Sequence, residues 1–243
     1  IQGICADWIA LNPFAFSNSE NSTRIIYDSP RQWWGERPDG IRDAIVKAKS
    51  AGMSILLKPQ VWIPGGWVGT VEFKNESKWV EWEKSYRKYI LEMAGIAAEY
   101  EIELFCIGTE YDKAVIGNPE IWTRLIKDVR SLYKGKITYA ANWTHYDELD
   151  FWNELDFIGI DAYFPLTESA TPEVDELKSA WDDKLTNIRA LSESTGKPVI
   201  FTEFGYQSVD GCAHKHWLLE PKRDYTATNE TAQANAYQAL LET

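Results

Sequence analysis

Ile200-Phe201-Thr202-Glu203-Phe204-Gly205-Tyr206 sets one acidic residue directly after a run built to be buried. Val199, Ile200 and Phe201 follow Gly196-Lys197-Pro198, so they read as a short central strand leaving a turn. A carboxylate at the end of such a strand costs several kcal/mol unless something pairs with it or uses it. Leu104-Phe105-Cys106-Ile107-Gly108-Thr109-Glu110 repeats the pattern, a second apolar strand ending on a glutamate.

Working outward from these two, strand-like and helix-like segments alternate along nearly the whole chain. Ile4 to Leu11 is a mixed apolar run. A helix is expected over Ile41 to Ala51, stopped by Gly52, before a strand from Met53 to Leu57. Lys78 to Tyr100 has helical spacing, with Trp79, Trp82, Tyr86, Tyr89 and Ile90 on one stripe. Glu103 to Ile107 is the next strand, and Pro119 opens a helix to about Tyr133. Ile137 to Ala141 and Phe157 to Ile160 read as strands, with a short helix over Asp147 to Leu155 between them. Pro172 to Ser194 is expected to be helical, with Gly196 as its stop, and Glu230 to Leu241 closes the series.

Alternation of this kind implies parallel strands joined by helical crossovers, in an open doubly wound sheet or a barrel. No G-x-G-x-x-G follows any strand, and Pro64-Gly65-Gly66-Trp67 is not a phosphate-binding loop. Catalysis in (β/α)8 barrels sits at the C-terminal ends of strands, where both glutamates fall. The expectation is therefore an α/β fold, a (β/α)8 TIM barrel, forming a single catalytic domain over residues 1–243.

Composition narrows the function classes. The chain has 243 residues, 44% of them hydrophobic and 26% charged, with a net charge of −12, so a nucleic-acid partner is disfavoured. No apolar run has the roughly 18 residues of a membrane span. Cys5, Cys106 and Cys212 are too few for a disulfide framework. Twelve tryptophans and twelve tyrosines admit two readings, large core side chains or flat platforms for sugar rings, and composition does not separate them. Ile1 carries neither an initiator methionine nor a leader pattern, which leaves the compartment open.

Two glutamates at one barrel mouth suggest glycoside hydrolysis, with one carboxyl group protonating the leaving oxygen and the other attacking, or activating water, at the anomeric carbon. At this point the chain resembles a known group. Gly108-Thr109-Glu110 and Thr202-Glu203-Phe204-Gly205-Tyr206 look like the fourth- and seventh-strand motifs of the retaining clan A hydrolases. With Met53 to Gln60, Tyr139 to Trp143 and Phe157 to Leu166, the ordered set is similar to glycoside hydrolase family 113, the β-mannanase and β-mannosidase-type family. The resemblance implies a retaining double displacement on β-mannan or manno-oligosaccharides, with Glu110 as acid/base, Glu203 as nucleophile and no cofactor. It also implies that only barrel strands two to seven lie in these residues, so that strands one and eight should come from flanking sequence. A polysaccharide-degrading enzyme would suit secretion or a periplasm. β-1,4-Glucan hydrolysis and a catalytically silent carbohydrate-binding barrel remain the alternatives.

One departure from the clan pattern stands beside the acid/base. Most of the clan has Asn immediately before it, where this chain has Thr109, and Asn142 is the candidate to take over sugar 2-hydroxyl recognition or else a loop cap. Tyr163, two residues past Asp161, resembles a clan tyrosine that bonds the nucleophile and helps hold it ionised, or else is an aromatic capping the barrel. Lys58 after its buried strand reads as a sugar-hydroxyl ligand or a structural ion pair. Trp62, Trp67 and Trp143 in strand-end loops are stacking candidates, and Asp161 and Tyr206 complete the substrate-binding set. Trp33 and Trp34 could line the cleft or pack on the surface. Cys212, His214 and His216 superficially resemble a metal cluster but lack a fourth ligand, so no metal is assigned. His145 has no visible nucleophile to serve.

Overall fold

A computed structural model describes residues 6–215, 217 and 228–243. The start of the Ile4 run, Cys5 and His216 lie outside them. The chain divides into two compact units, Ile1–Gly159 and Ile160–Thr243.

In the first unit four parallel strands stand side by side in the order β1 (Trp8–Leu11), β3 (Ser54–Leu57), β5 (Leu104–Thr109) and β6 (Lys136–Asn142). Helices α1 (Pro38–Ser50), α2 (Glu76–Glu99) and α4 (Pro119–Leu132) make the crossovers, as the alternation of the sequence required. All six residues of β5 are buried, which is why it reads as a continuous apolar run instead of alternating. α2 begins where the Asn75 Oδ1 accepts the Ser77 N–H at 2.8 Å. Its stripe of Trp82, Tyr86, Tyr89 and Ile90 is buried, with Trp79 half-buried at the edge. Strand β7 (Ile158–Asp161) crosses the join between the units.

Two features depart from the expectations. First, the β1–β3 ladder breaks at Pro13 and Pro59 and resumes as a separate parallel pair, β2 (Phe14–Phe16) with β4 (Gln60–Trp62). Proline supplies no N–H, but the Pro13 carbonyl still accepts the Gln60 N–H at 2.9 Å, so pairing restarts one step later. Three-residue strands show too little alternation to be read. Second, no helix runs from Asp147 to Leu155; turns lead into a single 3-10 turn at Trp152–Glu154. Phe151 and the adjacent Trp152 are both buried, and the Trp152 indole donates to the Tyr146 carbonyl at 2.8 Å, which ties the turns down without a helical ladder.

Those rings join an aromatic cluster that lies against β5. Trp82 stacks on Tyr86 with centroids 5.0 Å apart, Tyr86 meets Trp122 edge-on at 5.6 Å, and Trp122 meets Tyr139 at 5.1 Å. Much of the aromatic excess is thus core. The cluster leaves no room at Gly108, where a Cβ would come within 2.6 Å of the Trp122 ring and 2.8 Å of the Tyr86 hydroxyl. Gly108→Ala is expected to destabilise the fold by about 1–3 kcal/mol through overpacking. Urea unfolding followed by tryptophan fluorescence will measure it; an unchanged midpoint would contradict the packing described.

In the second unit β7 neighbours β8 (Val199–Glu203), and the Ala162 N–H bonds the Glu203 carbonyl at 2.7 Å. Helix α5 (Val174–Thr195) ends on Gly196 in the left-handed conformation at φ 65°. It packs with α6 (Glu230–Glu242) through Leu177, Ala232, Ala236 and Ala239, where small side chains at helical spacing allow close approach. Among the described residues no helix is long and apolar enough to cross a membrane.

Candidate active site

The end of β5 is shaped by a register shift. Cys106 pairs with Thr138, but Thr109 pairs with Ala140, so β5 spends one extra residue. Such a bulge bends the strand and re-aims the side chains at its end. Two bonds hold it: the Tyr86 hydroxyl donates to the Ile107 carbonyl at 3.0 Å, and the Cys106 thiol to the Gly108 carbonyl at 3.1 Å. Glu110 emerges at φ 53°, a left-handed backbone that costs a residue with a Cβ roughly 1–3 kcal/mol. Its N–H is nevertheless paired, to the Ala140 carbonyl at 2.8 Å.

Both carboxylate oxygens of Glu110 accept hydrogen bonds. Asn142 Nδ2 donates to Oε1 at 2.7 Å, and Trp67 Nε1 donates to Oε2 at 2.9 Å. The Asn142 amide has a defined orientation, because its Oδ1 accepts the Thr144 N–H at 3.0 Å and the Thr144 hydroxyl at 2.6 Å. Asn142 therefore serves the glutamate directly, and Trp67 meets it through its ring N–H while 41% of the residue stays exposed. Trp62, 55% exposed, packs edge-on to Phe14 at 6.4 Å and is not part of this group. Trp143 follows Asn142 half-buried, and Lys58 lies fully buried just past β3. Trp33 and Trp34 are exposed.

An N–H donated to a carboxylate stabilises the ionised form. Removing the indole N–H in Trp67→Phe should therefore let Glu110 keep its proton to higher pH. In a carbon-13 NMR titration of the Glu110 carboxyl the variant's apparent pKa is expected to rise by about one unit at most, since the bond is partly solvated. A titration displaced to lower pH would show that Trp67 does not act through this bond.

In the second unit Glu203 ends β8, and the Tyr163 hydroxyl donates to its Oε2 at 3.1 Å. Asp161 is 1% exposed and accepts the Thr202 hydroxyl at 2.7 Å, a bond that ties β7 to β8. Tyr206 packs into the α5–α6 core, with its ring edge-on to Tyr237 at 5.3 Å and its carbonyl accepting Gln233 Nε2 at 2.7 Å. Burial pushes its phenol above the ordinary range. The structure thus brings Tyr163 to Glu203 and gives Asp161 and Tyr206 buried partners within the fold.

Cys212 is a buried free thiol, pushed up by burial, and His214 lies 3.9 Å from Glu168. No metal-holding group of His, Cys, Asp and Glu occurs among the described residues. Sequence reading passed over Asp112, which starts the short helix α3 (Asp112–Gly117) and is 5% exposed. Burial pushes its carboxyl up to about 7; His145 opposes that, while Glu110 and Glu148 add to it. His145 stands with Nε2 3.8 Å from Asp112 and Nδ1 2.9 Å from Glu148. The only local hint was an acidic residue two positions after Glu110.

The model of the family described as Glycoside Hydrolase Family 113 matches residues 1–243. A structure titled as a complex of a family 113 β-1,4-mannanase is 28% identical, covers 98% of this chain and 73% of its own, and superposes with a TM-score of 0.82. The family 113 β-mannanase of Alicyclobacillus acidocaldarius is 27% identical over 97% of this chain and 71% of that one, with a TM-score of 0.83. A curated probable glucan endo-1,3-β-glucosidase of Aspergillus oryzae is 26% identical over 175 residues, 67% of this chain. The chain spans 36% of the length of that curated relative.

Proposed function

The chain belongs to glycoside hydrolase family 113, and from that premise we propose that it cleaves β-1,4-mannosidic linkages in mannan or manno-oligosaccharides by a retaining double displacement. Glu203 attacks the anomeric carbon while Glu110 gives its proton to the leaving oxygen. Glu110 then removes a proton from water, which displaces Glu203 from the sugar. Tyr163 holds the Glu203 oxygen that does not attack, and Asn142 with Trp67 orient Glu110. Residues 1–243 are read as a single catalytic domain.

The observation that carries the reading is the strand-end placement of both glutamates, each with its carboxylate already held by side-chain donors. A binding module would need neither carboxylate so prepared. The neutral substrate also suits a net charge of −12. The name of the curated relative favours a second reading, hydrolysis of β-glucan.

A panel of β-1,4-manno-oligosaccharides, β-1,4-cello-oligosaccharides and β-1,3-glucan separates the two, with the first-formed anomer followed by proton NMR. Mannoside cleavage with the β-anomer appearing first is expected. The α-anomer first would overturn retention, and cleavage of glucans alone would overturn the substrate assignment.

A further inference from the structure

Strand β6 holds the candidate acid/base at three points. The Ala140 carbonyl accepts the Glu110 N–H at 2.8 Å, and Asn142 Nδ2 donates to the Glu110 carboxylate at 2.7 Å. The third hold does not touch Glu110 itself. The N–H of the next residue, Tyr111, donates to the Tyr139 hydroxyl at 2.7 Å. Tyr139 and Asn142 stand on opposite faces of one strand, so the backbone and the carboxylate are held from different sides. The double displacement gives Tyr139 no part of its own.

This hold falls where the backbone needs one. Glu110 sits at φ 53°, and a residue with a Cβ keeps that conformation only where its surroundings over-determine it. Past Ala140 the β5–β6 ladder stops doing so. The Asn142 carbonyl accepts the His145 N–H at 3.1 Å, and the Asp112 N–H turns back to the Glu110 carbonyl at 2.9 Å. Without the Tyr139 hydroxyl, the Tyr111 N–H would lose its acceptor inside the fold.

Both ends of the bond are fixed by packing. Tyr139 is 0% exposed, edge-on to Trp122 at 5.1 Å and to Phe151 at 5.6 Å. Tyr111 is 2% exposed, with its ring 5.1 Å from Tyr86 and 5.3 Å from Trp82. Burial holds the Tyr139 phenol well above its ordinary range, so its oxygen stays a neutral hydroxyl whichever way Glu110 titrates.

We propose that Tyr139 is a positioning residue for the acid/base: by accepting the Tyr111 N–H, its hydroxyl locks the left-handed turn at Glu110 and aims the carboxyl group at the leaving oxygen. This rests on the reading of Glu110 as acid/base. The aromatic cluster against β5 then does more than fill the core, since its rigid rings carry one hydroxyl to a fixed point. Loss of the hold lets the turn relax, and the carboxyl group moves off line. Proton transfer suffers, while attack by Glu203 does not depend on it. A displacement of about 1 Å at a reacting group is enough to cost on the order of 10^2-fold.

The bond can be broken from either end in the full-length protein. Tyr139→Phe keeps the ring and removes the hydroxyl; a backbone ester in place of the Tyr111 amide removes the N–H and keeps every side chain. Turnover is counted per site labelled by a slow fluorinated mannosyl fluoride, which traps the nucleophile through a leaving group that needs no acid. Unfolded molecules are then not counted. Each change should lower turnover of manno-oligosaccharides per labelled site by roughly 10- to 100-fold, and both together no further. The burst on an aryl mannoside with a good leaving group should stay within about threefold of wild type, because that step needs no proton. Phe151→Leu loosens the same cluster but leaves the bond, so it should lower the unfolding temperature and keep turnover per labelled site.

Unchanged turnover in Tyr139→Phe and in the ester would overturn the proposal, as would a burst that falls in proportion or an equal loss in Phe151→Leu. If Tyr139→Phe does not fold, the ester decides alone. A wild-type protein whose Tyr111 amide resists hydrogen exchange, but which is neither labelled nor cleaves a mannoside, would overturn the proposed function and leave the Tyr139 bond standing.

Discussion

Glu203→Ala is expected to lose essentially all turnover, roughly 10^4-fold or more, the scale on which removal of a covalent nucleophile acts in other hydrolases. The loss should fall on every substrate, because no leaving group is good enough to replace the missing bond to the anomeric carbon. Glu203 is half-buried, and its carboxylate has the Tyr163 hydroxyl as a donor at 3.1 Å. Truncation frees a hydroxyl and opens a small space while leaving the β7–β8 bond between Ala162 and Glu203 backbone atoms in place. Folding should therefore survive, and thermal unfolding of the variant checks that it does. Azide in the vacated space should restore slow turnover of an activated aryl β-mannoside and give the α-mannosyl azide. Hydrolysis of manno-oligosaccharides above about one part in a hundred of wild type would remove Glu203 from the nucleophile's role.

Glu110→Ala should behave differently. General acid–base catalysis contributes about 10^2–10^4-fold, so unactivated manno-oligosaccharides should lose that much. An aryl mannoside whose leaving group needs no proton should form its covalent intermediate almost normally and then stall, since no base remains to activate water. Burst kinetics are the expected sign. Azide needs no deprotonation, so it should relieve the stall and give the β-mannosyl azide, opposite in configuration to the Glu203→Ala product. Equal losses in the two variants, with azide rescuing neither, would sink the division of labour. Loss of the side chain also strands the Trp67 and Asn142 donors, and alanine keeps the Cβ and with it the strain at φ 53°, so nothing on the backbone offsets that cost.

Much of the framework was legible residue by residue. Burial of Leu104 to Thr109 and the turn before Val199 located the strands that end on the two glutamates. A repeat of about 3.6 residues located α2 and its buried stripe, and Gly196 marked the end of α5. These are local properties, since burial demand, helical period and left-handed backbone preference belong to a residue and its near neighbours. Pairing rules for parallel strands then supplied the βα order. The ordered motifs supplied the family.

The partners that hold each glutamate were not written locally. Trp67 and Asn142 lie 43 and 32 residues from Glu110 in the chain, and their meeting depends on one extra residue in β5 that changes where the strand end points. As strand-end side chains Trp67 and Asn142 suit a sugar; the fold turns their N–H groups onto the carboxylate. Asp112 has the sequence signature of an ordinary surface acid, yet α3 buries it beside His145, 33 residues on in a loop whose sequence suggests the approach to a helix. The sequence by itself determined the longer strands and helices and where the two candidate carboxylates emerge, because those depend on short-range burial and backbone preference; the short β2 and β4 and the turns over Asp147 to Leu155 were not legible in it. Tertiary structure alone decided which donors and charges meet each carboxylate, because a bulge, a proline break and a crowded aromatic cluster act across the chain, and hydrogen bonds form only when such packing brings both partners within about 3 Å.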